Sequence, residues 1–270
     1  MNPIKLIKLE VLKYKDNSLI QMLLMFYTLL MPIVIFVLKN FDDINIPGKD
    51  SFFTFPKVWE YQAYIGSWLT FLFFGFLGVY IITSEIQFKT MRQNIITGLS
   101  RNEFFMGKIL ITLVVTFYAT IVFYLSTILV GVLHEGEFDL NKILDHQDYV
   151  FLRFFLLTFA YMTFGIMVAF IFRKSGLSIF FYFSYILMIE PLFRWMVHHK
   201  VFSNGRSFLY YPMNGIEDLA PLPSFKYIDN FNGLKNFPIL MTYTEAGIIS
   251  IISIILFMTV SYLLFLKRDI

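Results

Sequence analysis

The chain has 270 residues, of which 57% are apolar, 20% aromatic and only 15% charged, with a mean hydropathy of +0.67. A soluble domain carries about 25% charged residues, so this balance excludes an ordinary soluble domain and points to an all-α polytopic membrane protein. With no cysteine, disulfides, thiol chemistry and cysteine-based metal sites are excluded, and the net charge of +3 is small enough that its distribution matters more than its sum.

Residues 2–16 come first. At helical spacing Ile4, Ile7, Val11 and Tyr14 form an apolar stripe, with Lys5, Lys8, Lys15 and Asp16 on other faces. Leu6, Leu9 and Leu12 interrupt the polar side. The pattern predicts an amphipathic interfacial helix with its lysines near anionic lipid, the alternative being a basic flank that only orients the first span. The first apolar run reaches full spanning length, which argues against a cleavable signal peptide.

Six spans are expected, over residues 19–38, 61–84, 109–133, 150–172, 177–199 and 246–266. Pro32 in span 1 removes one backbone donor and can kink the helix. The loop 39–60 carries four acids and the pair Pro47-Gly48, and reads as an exposed connection. Gly66, Gly75 and Gly78 in span 2 permit close helix approach. The loop 134–149 holds five acids and one lysine. Arg153 shortens the charge-free part of span 4 and is expected to snorkel outward. In span 5, Glu190 and Arg194 stand at i, i+4 and can pair on one helix face. They are candidates for a polar feature of a translocation path or its outer gate, against the plainer reading of a snorkelling surface pair. Residues 200–242 form the longest connection, with amphiphilic patches at 208–222 and 225–240.

Basic residues near span ends set the orientation. With both termini inside, the inner segments hold twelve basic residues (Lys5, Lys8, Lys13, Lys15, Lys89, Arg92, Arg101, Lys108, Arg173, Lys174, Lys267, Arg268) against five acids. The inner side is then +7 and the remainder −4, so the N-in, C-in topology is expected.

That orientation puts residues 85–108, EIQFKTMRQNIITGLSRNEFFMGK, in the cytoplasm as a basic island between spans 2 and 3. Ile86, Phe88, Met91, Ile95 and Ile96 mix with Lys89, Arg92 and Gln93, as in a helix along an interface. Gly98 can end that helix in the left-handed conformation, and Ser100 with Glu103 three residues on forms a capping box for a second helix running into span 3. The island contains no phosphate loop: Gly107-Lys108 lacks both the upstream glycine and the following Ser/Thr. No span carries two facing acids, a Ser/His pair or a His-x-x-x-His, so an intramembrane enzyme is disfavoured. His134, His146, His198 and His199 fall on the outer side without a further ligand set, and the thirteen methionines are scattered as packing residues.

The island resembles the intracellular connection of type-2 ABC transporter permeases. Glu85, Thr90, Arg92, Ser100, Arg101, Gly107 and Lys108 match that pattern, while Met91 and Lys89 depart from it, the latter standing where a glycine is common. The resemblance implies a permease domain over 1–270 with outer membrane-associated helices between spans 5 and 6 and a cytoplasmic coupling helix, in which Glu85, Thr90, Arg92, Ser100, Arg101 and Lys108 serve ATPase coupling. It implies no catalytic residue, metal or cofactor in this chain, with ATP and Mg held by separate ATP-binding cassette ATPase subunits. The other implied partners are membrane lipid and a second permease, as homodimer or heterodimer, with no nucleic acid. The implied setting is a bacterial-type cytoplasmic membrane, and the implied function is export. The alternative is a mechanotransmitting subunit that acts on an outer partner without moving a solute.

Overall fold

A computed structural model describes residues 2–40, 52–144, 149–202, 206–223 and 240–267. The Pro47-Gly48 turn, His146, nearly all of the 225–240 patch and the residues after Lys267 lie outside them. Twelve α-helices are described: α1 (Pro3–Tyr14), α2 (Ser18–Asn40), α3 (Lys57–Gln87), α4 (Thr90–Ile96), α5 (Arg101–Glu135), α6 (Leu140–Leu144), α7 (Val150–Phe172), α8 (Ser175–Ser184), α9 (Glu190–Leu192), α10 (His199–Phe202), α11 (Pro212–Glu217) and α12 (Tyr243–Lys267). No strand occurs among the described residues. Among the described residues, six segments are long and apolar enough to cross a membrane: α2, α3, α5, α7, the run Ser175–Val201, and α12. The chain is a multi-pass membrane protein.

Helices α3 and α7 form the centre of the bundle. About 72% of the most apolar stretch of each is buried, against 22% for α2 and for Ser175–Val201. The difference leaves the outer spans with broad apolar faces for lipid or another chain. Glycine sets the central contact. A methyl group at Gly78 would collide with the backbone of Met162, and one at Gly165 with the carbonyl of Gly75. The glycines of span 2 thus allow the helix approach their sequence suggests, as in small-residue packing between membrane helices.

The start of α5 meets the end of α12: Arg101 Nη1 donates to the Leu266 carbonyl (2.6 Å), Tyr262 to Asn102 (2.7 Å), and the Phe104 and Phe265 rings stack. Since α1 also packs on α5, both chain ends lie at one end of the bundle, together with the link from α3 to α5. We call this the near end.

Two elements differ from expectation. The run 177–199 is not one regular helix: π-helical turns at Tyr185–Ile189 and Phe193–His198 flank Glu190–Leu192. Pro191 has no amide hydrogen to give, and wider turns on either side accommodate that gap. Arg153 does not snorkel. It is 7% exposed, donates to the Leu219 carbonyl (2.8 Å), and lies 3.6 Å over the Tyr243 ring. The chain after α11 covers this end of α7, so the guanidinium finds a carbonyl and an aromatic face inside the protein instead of water.

Candidate functional site

The near end is built around one buried ion cluster. Asn2 caps α1 by accepting the Ile4 amide (3.1 Å), and Pro3 starts the helix at a position needing no donor. The face of α1 that packs inward is Leu6, Glu10 and Tyr14, whereas Ile4 and Val11 are exposed. The inward face shares Tyr14 with the apolar stripe and adds Leu6, one of the residues that interrupt the polar side, and Glu10. The reason is electrostatic. Lys108 on α5 is 1% exposed, and an ammonium that deep needs anionic partners. Glu10 supplies one at 2.6 Å and Glu85, at the end of α3, the other.

The cluster extends around that core. Lys13 bridges Glu10 (2.6 Å) and Glu85 (3.2 Å) from a more exposed position. The Tyr14 hydroxyl accepts from Lys108 (2.9 Å) and donates to the Ile81 carbonyl (3.2 Å) and to Glu85 (3.3 Å). Burial, followed by the Glu85 and Glu10 carboxylates, holds the Tyr14 phenol well above its ordinary range, so its proton is kept for donation. Asn94 of α4 donates to the second Glu85 oxygen (3.3 Å), and the Phe104 ring lies 5.0 Å from Lys108 Nζ and 5.8 Å from Lys13 Nζ. Two carboxylates and two ammonium groups thus balance in charge while joining α1, α3, α4 and α5.

The link itself is a helix, a turn and a helix. Gly98 takes φ +115° after α4, where a side chain would be strained. Ser100 and Glu103 form the capping box, with Ser100 N–H donating to Glu103 (3.0 Å) and Glu103 N–H to Ser100 Oγ (3.3 Å). The second helix continues unbroken as α5. Lys89 also takes a left-handed φ, +57°, at the corner between α3 and α4. Met91 faces inward, while Phe88, Arg92 and Ile96 are exposed on the link. Thr90 Oγ1 reaches the Glu85 carbonyl at 3.4 Å. Two clefts lie between α1 and the link that carries α4. One, of about 520 Å³, runs between Leu6, Leu9, Thr97, Leu99 and Phe104. The other, about 470 Å³, runs between Tyr80, Phe88, Thr90 and Gln93. Lys13 and Asn94 border both.

Of the six coupling candidates, then, Glu85 and Lys108 meet in the buried cluster, Thr90 and Ser100 hold the link's backbone, Arg101 ties α5 to α12, and Arg92 stands exposed. Sequence reasoning missed Glu10, Lys13, Tyr14 and Asn94. A faint signal existed in Glu10, the one acid inside a helix carrying three lysines.

The other candidates lie at the opposite, far end. Glu190 is 3% exposed, and its Oε1 accepts the Asn214 amide (3.0 Å) while Oε2 has no partner. It forms no ion pair with Arg194, although the two stand four residues apart on the same span. Asp218 accepts from the Met241 amide (3.0 Å) and from Asn214 Nδ2 (3.2 Å). His198 bonds Tyr211 and Ser207, both at 3.0 Å, fastening residues 206–211 to the span.

These features define a helical membrane protein with a charge-balanced junction at one end. Comparison with known families gives a match over residues 6–189 to the ABC-2 family transporter proteins, and the chain belongs to that family. It is a permease, a membrane transport component and not itself catalytic. Such permeases normally work with ATP-binding cassette ATPase subunits. Comparison with curated proteins gave no match.

Proposed function

We propose that this permease exports a substrate using ATP hydrolysed by a separate ATP-binding cassette subunit, which seats on the near end, in the cytoplasm. The observation that carries the reading is the buried cluster of Glu10, Lys13, Glu85 and Lys108, which joins the α1 and α4 surface to the bases of α3 and α5. A partner pressing on α4 would move two spans together, since separating buried ions costs several kcal/mol. The two clefts and the exposed Phe88, Arg92 and Ile96 offer apolar and cationic contacts to such a partner. A second copy or a paralogue completes the permease, using the weakly buried outer spans, and α1 lies in the headgroup layer of a bacterial-type cytoplasmic membrane.

The test is purification from native membranes with and without Arg92→Glu. An ATPase subunit should accompany the native chain in stoichiometric amount and be lost, or lose substrate-stimulated hydrolysis, with the variant. A native complex without an ATPase refutes the proposal. Hydrolysis that no solute stimulates, with a tightly held outer protein, favours the mechanotransmitting alternative.

A further inference from the structure

At the far end, a cavity of about 250 Å³ lies between α3, α7, the irregular span 175–201 and the segment after α11. Its composition differs from that of the surrounding bundle. Aromatic rings of Trp68, Phe71, Tyr161 and Trp195 form much of its wall, and Arg194, Glu217 and Asp218 bring three charges to the same space. Glu190 stands behind the wall, attached through the Asn214 amide. The set holds three carboxylates against one guanidinium. Arg194 Nε is itself buried without a partner.

The protein environment raises both carboxyls that line the cavity. Glu217 is an exposed residue that lines the cavity, and the protein packed around it pushes its carboxyl up to about 7; Arg194 opposes this, and Glu190 and Asp218 add to it. Asp218, buried among the same groups, is pushed up to about 6. A positive charge placed among them would stabilise their ionised forms, and aromatic faces attract the same charge. The local backbone is also irregular here: the π-helical turns aim Ile186, Leu187, Arg194 and Trp195 into the cavity. Such turns are frequent at functional sites.

We propose that this cavity binds the ammonium head of a cationic amphiphile whose apolar tail lies outside, past Trp68 and Leu187. Size supports the division into head and tail. At about 250 Å³ the cavity is smaller than the usual range of about 300–1,000 Å³ for sites that enclose a drug-sized ligand. Trp68 and Leu187 line it and are about half exposed, which marks the apolar side of its mouth. The inference deepens the export reading by naming a ligand class, and it rests on that reading only for the ligand being carried onward.

The probe is radiolabelled dodecyltrimethylammonium, titrated at pH 8 against the purified full chain in lipid nanodiscs. Binding is expected to be saturable, about tenfold weaker in Glu217→Gln, and weakened again in Asp218→Asn, a tenfold loss corresponding to about 1.4 kcal/mol. Glu217 is not packed in the core, so its variant should remain folded at pH 8, with a melting midpoint no lower than that of the native chain. Dodecylphosphocholine, which pairs the same tail with a lipid-like zwitterionic head, should compete at least tenfold less well. Equal binding by Glu217→Gln and the native chain overturns the proposal, as does equal competition by the zwitterion. Because the permease is assayed alone, failure here would leave the ATPase-coupling reading untouched.

Discussion

Lys108→Met is the substitution that most directly tests the near-end junction. Methionine matches the stem of lysine and removes its charge, leaving Glu10 and Glu85 with Lys13 alone. Both carboxylates are buried, at 4% exposure each, and the cluster changes from neutral to one net negative charge. Removing one partner of a buried pair costs about 3–5 kcal/mol. Lys13 already touches both acids and can move inward, so the lower part of that range, about 3 kcal/mol, is expected. For a chain of this size that corresponds to a fall of roughly 6–12 °C in the melting midpoint. The assay is thermal unfolding of the purified permease in detergent, followed by tryptophan fluorescence. The triple variant Glu10→Gln, Glu85→Gln, Lys108→Met removes the stranded charges and should recover at least half of the loss. A midpoint within about 2 °C of native for Lys108→Met alone would show that the ions hold nothing together. A triple variant no better than the single one would show that the cost was lost packing and not uncompensated charge.

Two further outcomes are expected. Lys89 holds φ +57° at the α3–α4 corner, where a side chain costs about 1–2 kcal/mol; Lys89→Gly should raise the melting midpoint by a few degrees, and a lowered midpoint would refute the strain. The folded-state carboxyls of Glu217 and Asp218 sit at about 7 and about 6, above their ordinary values of 4.5 and 3.8, so between pH 4 and 7 the folded chain binds protons the unfolded chain has released. Their contribution to stability is therefore full below about pH 4 and is lost as pH rises to 7. The groups facing Glu217 are Arg194, Glu190, Asp218 and Tyr161, all of which remain in Glu217→Gln. Melting midpoints at pH 5 and pH 8 should differ less for that variant than for the native chain, and equal differences would refute the assignment.

Much of the fold was legible because a membrane imposes simple demands. A span must be apolar for about twenty residues, and the six runs satisfy that without reference to any partner. The capping box at Ser100 and Glu103 and the turn at Gly98 were legible for a similar reason: their hydrogen bonds join residues three or four apart. The buried charges were not. Helical periodicity assigns Glu10 and Lys13 to the solvent side, since a charge alone on a helix belongs there. Only their partners overrule it, and those lie 98 residues away for Glu10 and 72 for Lys13. Arg153 misled in the same way, its carbonyl partner at Leu219 being 66 residues on. The π-helical turns around Glu190 had a visible cause in Pro191, yet a proline in a span predicts a kink as readily as a widened turn.

The near-end cluster also explains why a seven-residue helix can matter to spans many times its length. On its own α4 is too short to be a stable helix. It is held by Met91 against the bundle and by Asn94 on Glu85, the same carboxylate that grips Lys108 at the base of α5. A displacement of α4 therefore acts first on Glu85. The carboxylate cannot leave Lys108 without giving up one of the two ion pairs that hold that buried ammonium, and Lys108 cannot move without Glu10 of α1. The stiff path is thus from α4 through Glu85 to α3 and α5 together, with α1 following. The soft path is the turn at 97–100, whose contacts are exposed and local. Force applied at α4 should go to the stiff side, which means a coupling defect is expected from breaking the ions and not from loosening the turn.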